Sequence, residues 1–308
     1  ALLAGMYGFW FGFDRFVERP LVGEARGVET FVDGARFLRE HRDQRFFLFL
    51  HTYKVHAPYV SSPRYDSFAA DPAVWQGELA PYEVPAEQQP FVDAYDRAIR
   101  EADDQVGDFL AELDRLGLAD ETVVVLLSDH GEGFGEHGFV GHGFSAHQEQ
   151  LQIPWILRGP GIPAATTITE PASIVDVAPT VLDLLGIAEP GMQGRSLRAA
   201  LASGTAPPDR GLSFSWIDPG ARGLRRGSWK LLEDGAKRST LFDLASDPRE
   251  RRPLGEAPVF ASLQEELSAA ASEDRQRRDR LAGVGGSAEP RAASERVLES
   301  MRALGYVE

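Results

Sequence analysis

The chain has 308 residues, 43% hydrophobic and 26% charged, which suits one large folded domain with a smaller companion and a substantial core. Its formal net charge of −15 disfavours nonspecific nucleic-acid binding, which needs clustered Lys and Arg to displace counterions, but leaves open an anionic small molecule in a local pocket. With no cysteine, disulfides and thiolate metal sites are excluded.

Residues 1–13 are apolar and aromatic until Asp14 cuts them off. They are too short to span a bilayer and lack the basic start of a signal peptide, so they read as an interior piece of a longer chain. Residues 46–51 (FFLFLH) read as a buried strand. A loop through Pro58 follows, then an irregular Pro- and aromatic-rich stretch over 63–90. Over 91–116, Phe91, Tyr95, Ile99, Ala102, Val106, Phe109, Leu110 and Leu113 form one apolar helical stripe, with Gly117 placed to end it. Residues 123–127 form the next apolar run. A helix between two buried strands predicts a βαβ unit, hence an α/β fold with a mainly parallel sheet and helices on its faces. Residues 153–157 read as a further strand, and 175–185 as a helix with Pro179 near its first turn and Gly186 beyond its end. After Gly186 the texture changes. Short strands near 212–216, 223–226 and 229–232, separated by Gly-rich turns, predict a small antiparallel sheet. A charged helix over 257–281, a linker over 282–290 and a short helix over 294–304 complete the chain. The expected division is an α/β domain over 1–190, a small α+β subdomain over 191–281, and a linker and tail over 282–308.

The chemistry concentrates where the 123–127 run stops, at Ser128-Asp129-His130-Gly131. In open α/β sheets, ligands bind beyond the carboxyl ends of strands. The Asp129 carboxylate is a hard ligand suited to calcium, magnesium or manganese, and the His130 imidazole can coordinate or bond an anion. The same dipeptide also suits a plain turn with Asp129 capping the backbone, and the sequence leaves both readings open. His56 follows the 46–51 run. If the two strands are neighbours, it shares a rim with Asp129 and could protonate a leaving group; by itself it reads as a loop histidine. His51 reads as structural. His137, His142 and His147 are spaced five apart among glycines, which argues against the i, i+4 helical histidines of a zinc protease. His142, between Gly141 and Gly143, has the backbone freedom to approach a ligand and ranks above the other two. Glu132 and Glu136 read as solvated loop carboxylates. Arg225, Arg226 and Lys230 read as a solvated strand face.

Taken together, these segments resemble the sulfatase family of the alkaline-phosphatase superfamily. The resemblance is carried by Ser128-Asp129-His130-Gly131-Glu132, Glu136-His137-Gly138 and Gly141-His142-Gly143, and by His51 through His56-Ala57-Pro58-Tyr59. Further along it is carried by Asp176-Val177-Ala178-Pro179-Thr180-Val181-Leu182-Asp183, Gly194-Arg195-Ser196-Leu197, Trp229-Lys230-Leu231 with Leu241-Phe242-Asp243-Leu244, Asp247-Pro248, Glu250, and Leu304-Gly305-Tyr306-Val307. Gly12-Phe13-Asp14 fits the start of the family's middle region. The resemblance implies hydrolysis of sulfate monoesters assisted by a divalent ion, most often calcium. Asp129 and His130 would be metal ligands, with manganese credible because His130 adds a nitrogen donor. His56 and His142 would contact the sulfate, His56 assisting the leaving oxygen and His142 standing where many members carry a lysine.

The family's nucleophile is a formylglycine made from Cys or Ser in a C/S-x-P-x-R motif by a formylglycine-generating enzyme. The nearest string here, Ser61-Ser62-Pro63-Arg64-Tyr65, has Tyr65 where Arg is required and follows His56 in the wrong order, so it reads as a Pro-rich loop. The chain is therefore read as the later part of a sulfatase, inactive alone, with the formylglycine and two further Asp ligands outside it. The resemblance further implies export to the periplasm or beyond and a sulfated small molecule or carbohydrate as substrate. Two rivals are a phosphoester or phosphonate hydrolase of the same superfamily and a non-catalytic binding protein on the same fold.

Overall fold

Helix α2 (Gln89–Arg115) realises the longest apolar stripe in the sequence. It ends in a Schellman motif at Gly117: φ is +72°, and the N–H groups of Gly117 and Leu118 donate to the carbonyls of Asp114 (3.0 Å) and Leu113 (3.1 Å). The structure, a computed structural model, describes residues 12–17, 28–68, 83–188, 191–205, 208–215, 220–255 and 257–282. The expected linker over 282–290, the helix over 294–304 and most of the apolar 1–13 stretch lie outside them. The described residues divide into two units, one within 1–75 and 86–119, the other within 76–85 and 120–283. Residues 120–190 and the C-terminal sheet thus share one unit. Among the described residues, no helix is long and apolar enough to cross a membrane.

In the first unit α2 packs on α1 (Val28–His41), a helix the sequence reading did not anticipate. Its apolar residues Phe31, Ala35 and Leu38 recur at helical spacing. Leu38, Ala98 and Leu113 are buried, and the rings of Phe31 and Phe109 lie 6.1 Å apart. At the rim, Arg39 and Arg115 both bond Glu112 (2.6 and 2.7 Å). Arg115 foremost and then Arg39 hold that carboxyl at about 2. Residues 46–51 run beside α1, with Leu50 so close to Gly34 that a β-carbon there would lie 2.8 Å from it. The expectation of a buried strand here needs correction. The segment joins no ladder among the described residues, and Phe47 and Phe49 are 67% and 54% exposed. Alternate residues face α1, so only one side is covered, and Thr30 tethers the His51 carbonyl (3.4 Å).

In the second unit β1 (Val124–Leu127) pairs with β4 (Trp155–Arg158), antiparallel, Leu127 opposite Trp155. No parallel pair occurs among the described residues, so the mainly parallel sheet expected from the alternation of helix and strand is absent there. Between these strands lie the short pair β2 (Gly133–Phe134) and β3 (Val140–Gly141) and the one-turn helix α3 (Gln148–Leu151). The expected small antiparallel sheet is present and has four strands in sequential order: β5 (Leu212–Ser215), β6 (Arg222–Arg226), β7 (Trp229–Glu233) and β8 (Ser239–Asp243). Strand period two sorts its faces. Leu224, Leu231 and Leu241 pack under Leu263 and Leu267 of helix Phe260–Ala282. Leu232 and Phe242 face the other way, onto Ala146 and Leu151.

The Asp176 segment is a structural clasp leading into helix α4 (Val177–Leu184). Asp176 is wholly buried. Its carboxylate accepts the N–H groups of Ser173 (3.0 Å) and Arg195 (2.8 Å) and pairs with Arg210. Gly194 lies against it so tightly that a β-carbon would sit 1.9 Å from the Val175 carbonyl oxygen. Gly194→Ala is expected to destabilise the chain by about 1–3 kcal/mol, since two backbone segments must part; an unchanged urea midpoint would contradict that packing.

Candidate functional site

β1 ends at Leu127, and the chain turns through Ser128 and Asp129 into the β2–β3 hairpin. Ser128 Oγ donates to the His130 carbonyl (2.7 Å), and Asp129 Oδ1 accepts the His130 N–H (3.1 Å). The capping role and the exposed carboxylate therefore coexist, because Oδ2 is turned elsewhere. It lies 3.8 Å from His130 Nε2, with the Asp129 side chain 67% exposed. His130 Nδ1 donates to the Gly131 carbonyl (2.8 Å). A carbonyl can only accept, so in the neutral ring the lone pair is on Nε2, facing Asp129. One carboxylate oxygen and one imidazole lone pair 3.8 Å apart fit adjacent positions around a single divalent cation.

The hairpin register pairs Gly133 with Gly141, which makes Glu132 and His142 cross-strand neighbours. Gly141 and Gly143 adopt φ of +90° and +85°, so only glycine carries the chain past His142 without strain. The His142 ring stacks on His130 (centroids 3.9 Å, 27°). Its Nδ1 lies 2.9 Å from Glu132 Oε1. Glu132 is thus buried and bonded, which corrects its reading as a solvated carboxylate. The hairpin juxtaposes residues ten apart that no helical or strand period would relate. The glycines on both arms were the signal available in the sequence.

Helix α3 braces this hairpin. The Gln150 carbonyl accepts the Gly131 N–H (2.9 Å) and Gln150 Oε1 the Gly143 N–H (3.0 Å). From its other side, Gln148 N–H donates to Glu250 Oε2 (2.6 Å), and Lys230 Nζ donates to Gln148 Oε1 (3.2 Å). Lys230 and Glu250 form an ion pair at 2.6 Å with both side chains fully buried. Lys230 on a solvated strand face is therefore corrected: it lies on the Leu232 side of the sheet, which is covered. Burial pushes the ammonium below its usual range and the Glu250 carboxyl above, each opposed by the partner's charge.

His137 and His147 lie beside this pair, their rings parallel (3.7 Å, 7°). His137 bonds Glu149 (2.8 Å) and the Arg249 and Glu250 carbonyls. Burial alone would lower the His137 imidazole, but Glu149, and then Glu250, lift it above its ordinary value. His137, His147 and Glu149 have ligand atoms within 4.8 Å of one another. Parallel rings cannot both direct in-plane lone pairs at one ion, and Glu149 is already bound to His137, so this arrangement reads as a structural clasp.

Burial first, and the neighbouring His137 second, depress His147 from 6.5 to about 4. Its native state then binds fewer protons than its unfolded state, so its contribution is full above pH 6.5 and lost as pH falls towards 4. That loss is roughly 2–3 kcal/mol. Urea midpoints at pH 7 and 4.5 are expected to differ less in His147→Gln than in the parent; an equal difference would contradict it.

His56 lies in the first unit. Its Nδ1 donates to the Ala57 carbonyl (3.0 Å), and its ring stands 5.8 Å from Tyr53. His51 lies between the rings of Phe49 and Tyr53. The 61–65 string is committed to packing: Ser62 N–H donates to Glu101 (2.8 Å), which pairs with buried Lys54 (2.7 Å), and Tyr65 is buried against Asp104 (2.8 Å). Asp129, His130 and His142 are thus brought together in the second unit, while His56 belongs to the first.

A sulfatase family model matches residues 7–187, more than half of the chain. A model of the C-terminal region of N-sulphoglucosamine sulphohydrolase matches residues 135–277. Arylsulfatase K of Mus musculus is 34% identical over 166 residues, covering 49% of this chain and 30% of that protein. N-acetylglucosamine-6-O-sulfatase of Bacteroides thetaiotaomicron is 30% identical over 193 residues, 58% of this chain and 34% of that one. A structure solved with its substrate D-glucosamine-2-N,6-O-disulfate superposes with a TM-score of 0.55 and 26% identity, over 63% of this chain and 42% of that one. The chain spans about a third of the length of these curated relatives. The clustered Asp129, His130 and His142 thus lie within the segment that the family model matches, and the chain belongs to the sulfatase family, with its alkaline-phosphatase-like fold.

Proposed function

We propose that the protein of which this chain forms part hydrolyses sulfate monoesters. In this reading Asp129 and His130 hold a divalent cation, calcium foremost and manganese as the alternative, and His142 contacts the sulfate beside them. The observation that carries it is the 3.8 Å approach of Asp129 Oδ2 to His130 Nε2, with His142 stacked on the same imidazole. A bound divalent cation supplies positive charge that polarises sulfate oxygens. The protein's own part is to fix that charge and to manage a proton. Gly131 holds His130 in the tautomer with its lone pair on Nε2. His56 donates Nδ1–H to the Ala57 carbonyl, so Nε2 is the nitrogen left to face the leaving oxygen, and it gives that oxygen a proton only from the doubly protonated ring. The nucleophile is a formylglycine outside these 308 residues, installed by a formylglycine-generating enzyme, so this chain alone is inactive. Relatives named for sulfated sugars support a sulfated carbohydrate as the substrate class, and the same kinship supports export from the cytoplasm.

The test is turnover of sulfate and phosphate monoesters by the full-length protein and by the 308-residue chain. Sulfate esters should dominate with the former, and the latter should show none. Dominant phosphatase or phosphonate turnover, or robust hydrolysis by these residues alone, would overturn the reading.

A further inference from the structure

The loop that carries His56 is tied to helix α2 at both of its ends by one carboxylate. Lys54 precedes His56, and its Nζ lies 2.7 Å from Glu101 Oε2. Ser62 follows His56, and its N–H donates to the same oxygen (2.8 Å). Between these ties the backbone folds tightly: the His56 N–H donates to the Tyr53 carbonyl and the Tyr59 N–H to the His56 carbonyl, both at 3.1 Å. Tyr59 is buried, its ring edge-on to Tyr95 of α2 (5.4 Å). The Lys54 and Glu101 side chains are 2% and 6% exposed. Burying an ion pair carries a desolvation cost that the attraction does little more than offset, and an apolar pair of similar volume is often as stable. Stability therefore gives no reason for this charge pair. What it does, and an apolar pair could not, is hold a lysine head and a backbone N–H at one point on α2.

We propose that Glu101 is a positioning residue for His56: by gripping Lys54 and Ser62 together, it fixes where the His56 ring stands when Nε2 faces the leaving oxygen. The proposal rests on the role given to His56 above. The bond from His56 Nδ1 to the Ala57 carbonyl (3.0 Å) sets the ring relative to its own loop. The attachment of that loop then decides where the ring stands relative to α2, and a displacement of about 1 Å can lower a rate about a hundredfold. Glu101 touches no substrate; it acts through the loop.

The test compares kcat/KM of the full-length protein on two esters. Para-nitrophenyl sulfate releases a phenolate that leaves readily as an anion; phenyl sulfate releases a more basic one that needs the proton more. Glu101→Ala should lower the phenyl sulfate value about 10–100-fold and the para-nitrophenyl value far less, the same selectivity expected of His56→Ala. On a His56→Ala background it should add nothing. Glu101→Gln, which keeps an oxygen for the Ser62 N–H, should lose less. Because Glu101→Ala strands the Lys54 charge, the paired change Lys54→Met with Glu101→Leu separates fold from position: no charge stays buried, yet Ser62 is untied. That variant should unfold near the parental urea midpoint, keep the phenyl sulfate loss, and show faster amide exchange across 53–62 with α2 unchanged. Equal losses on the two esters, a further loss on the His56→Ala background, or full recovery of phenyl sulfate turnover in the paired variant would each overturn the proposal. If the exchange responds but His56→Ala shows no preference between the esters, the role of His56 fails and the hold of Glu101 on the loop stands. Should the full-length protein hydrolyse neither ester, the exchange decides alone, and an unchanged 53–62 segment overturns the proposal.

Discussion

Asp129→Ala in the full-length protein is expected to lower kcat/KM for a sulfate ester by about a thousandfold or more, with little change in stability. The side chain is 67% exposed and its bond to His130 N–H is local, so the fold has little to lose. The activity has much to lose, because a cation that neutralises a sulfate oxygen is worth several kcal/mol, and each 1.4 kcal/mol is about tenfold in rate. His130→Ala should follow the same pattern, since it removes the other ligand of the proposed ion. Raising the calcium or manganese concentration should recover part of the loss in either variant, because the ion is then held by fewer ligands rather than excluded. Activity within tenfold of the parent, with no change in metal dependence, would remove Asp129 from the site.

Lys230→Met is expected to act oppositely, through stability. Lys230 and Glu250 are both fully buried and lie 2.6 Å apart. Removing one partner strands the other charge in the interior, at a cost of about 3–5 kcal/mol. Glu250 also holds the Gln148 N–H, and the α3 turn begun there holds Gly131 and Gly143. The damage should therefore reach the His130–His142 hairpin although Lys230 is about a hundred residues away in sequence. The double replacement Lys230→Met with Glu250→Leu should recover part of the loss, since an apolar pair of similar volume needs no counter-charge. Urea unfolding of the four proteins forms a cycle; strict additivity of the two single effects would show that the pair does not interact.

Some elements follow from one local rule. The α2 stripe, the Gly117 stop, the apolar run before Asp129 and the short C-terminal strands each follow from a single periodicity or cap. Features that depend on partners leave no such mark in the sequence. The 46–51 run looked buried on both sides, but its alternate exposure at Phe47 and Phe49 reflects cover on one side only. Helix α1 went unread because its stripe of Phe31, Ala35 and Leu38 is interrupted by charges and Gly34. The antiparallel pairing of β1 with β4 is likewise illegible in either strand alone, because strand direction depends on the partner.

The candidate site divides in the same way. Asp129, His130 and His142 stand out as chemistry at a strand end, and the structure groups them. Glu132 and Lys230 looked like ordinary surface charges, because no sequence window shows that a hairpin register or the covered face of a distant sheet buries them. His137 and His147 share the spacing of His142, and only their stacking and the bond to Glu149 mark them as structural.

In the proposed site, one carboxylate and one imidazole at the end of β1 grip a single cation against a tetrahedral anion. A crystal structure of the full-length protein with Mn²⁺ and inorganic sulfate, the metal located by its anomalous signal, tests this most directly. One manganese is expected within about 2.6 Å of both Asp129 Oδ2 and His130 Nε2, with a sulfate oxygen on the ion. Manganese bound elsewhere, or at His130 with Asp129 turned to solvent, would contradict it.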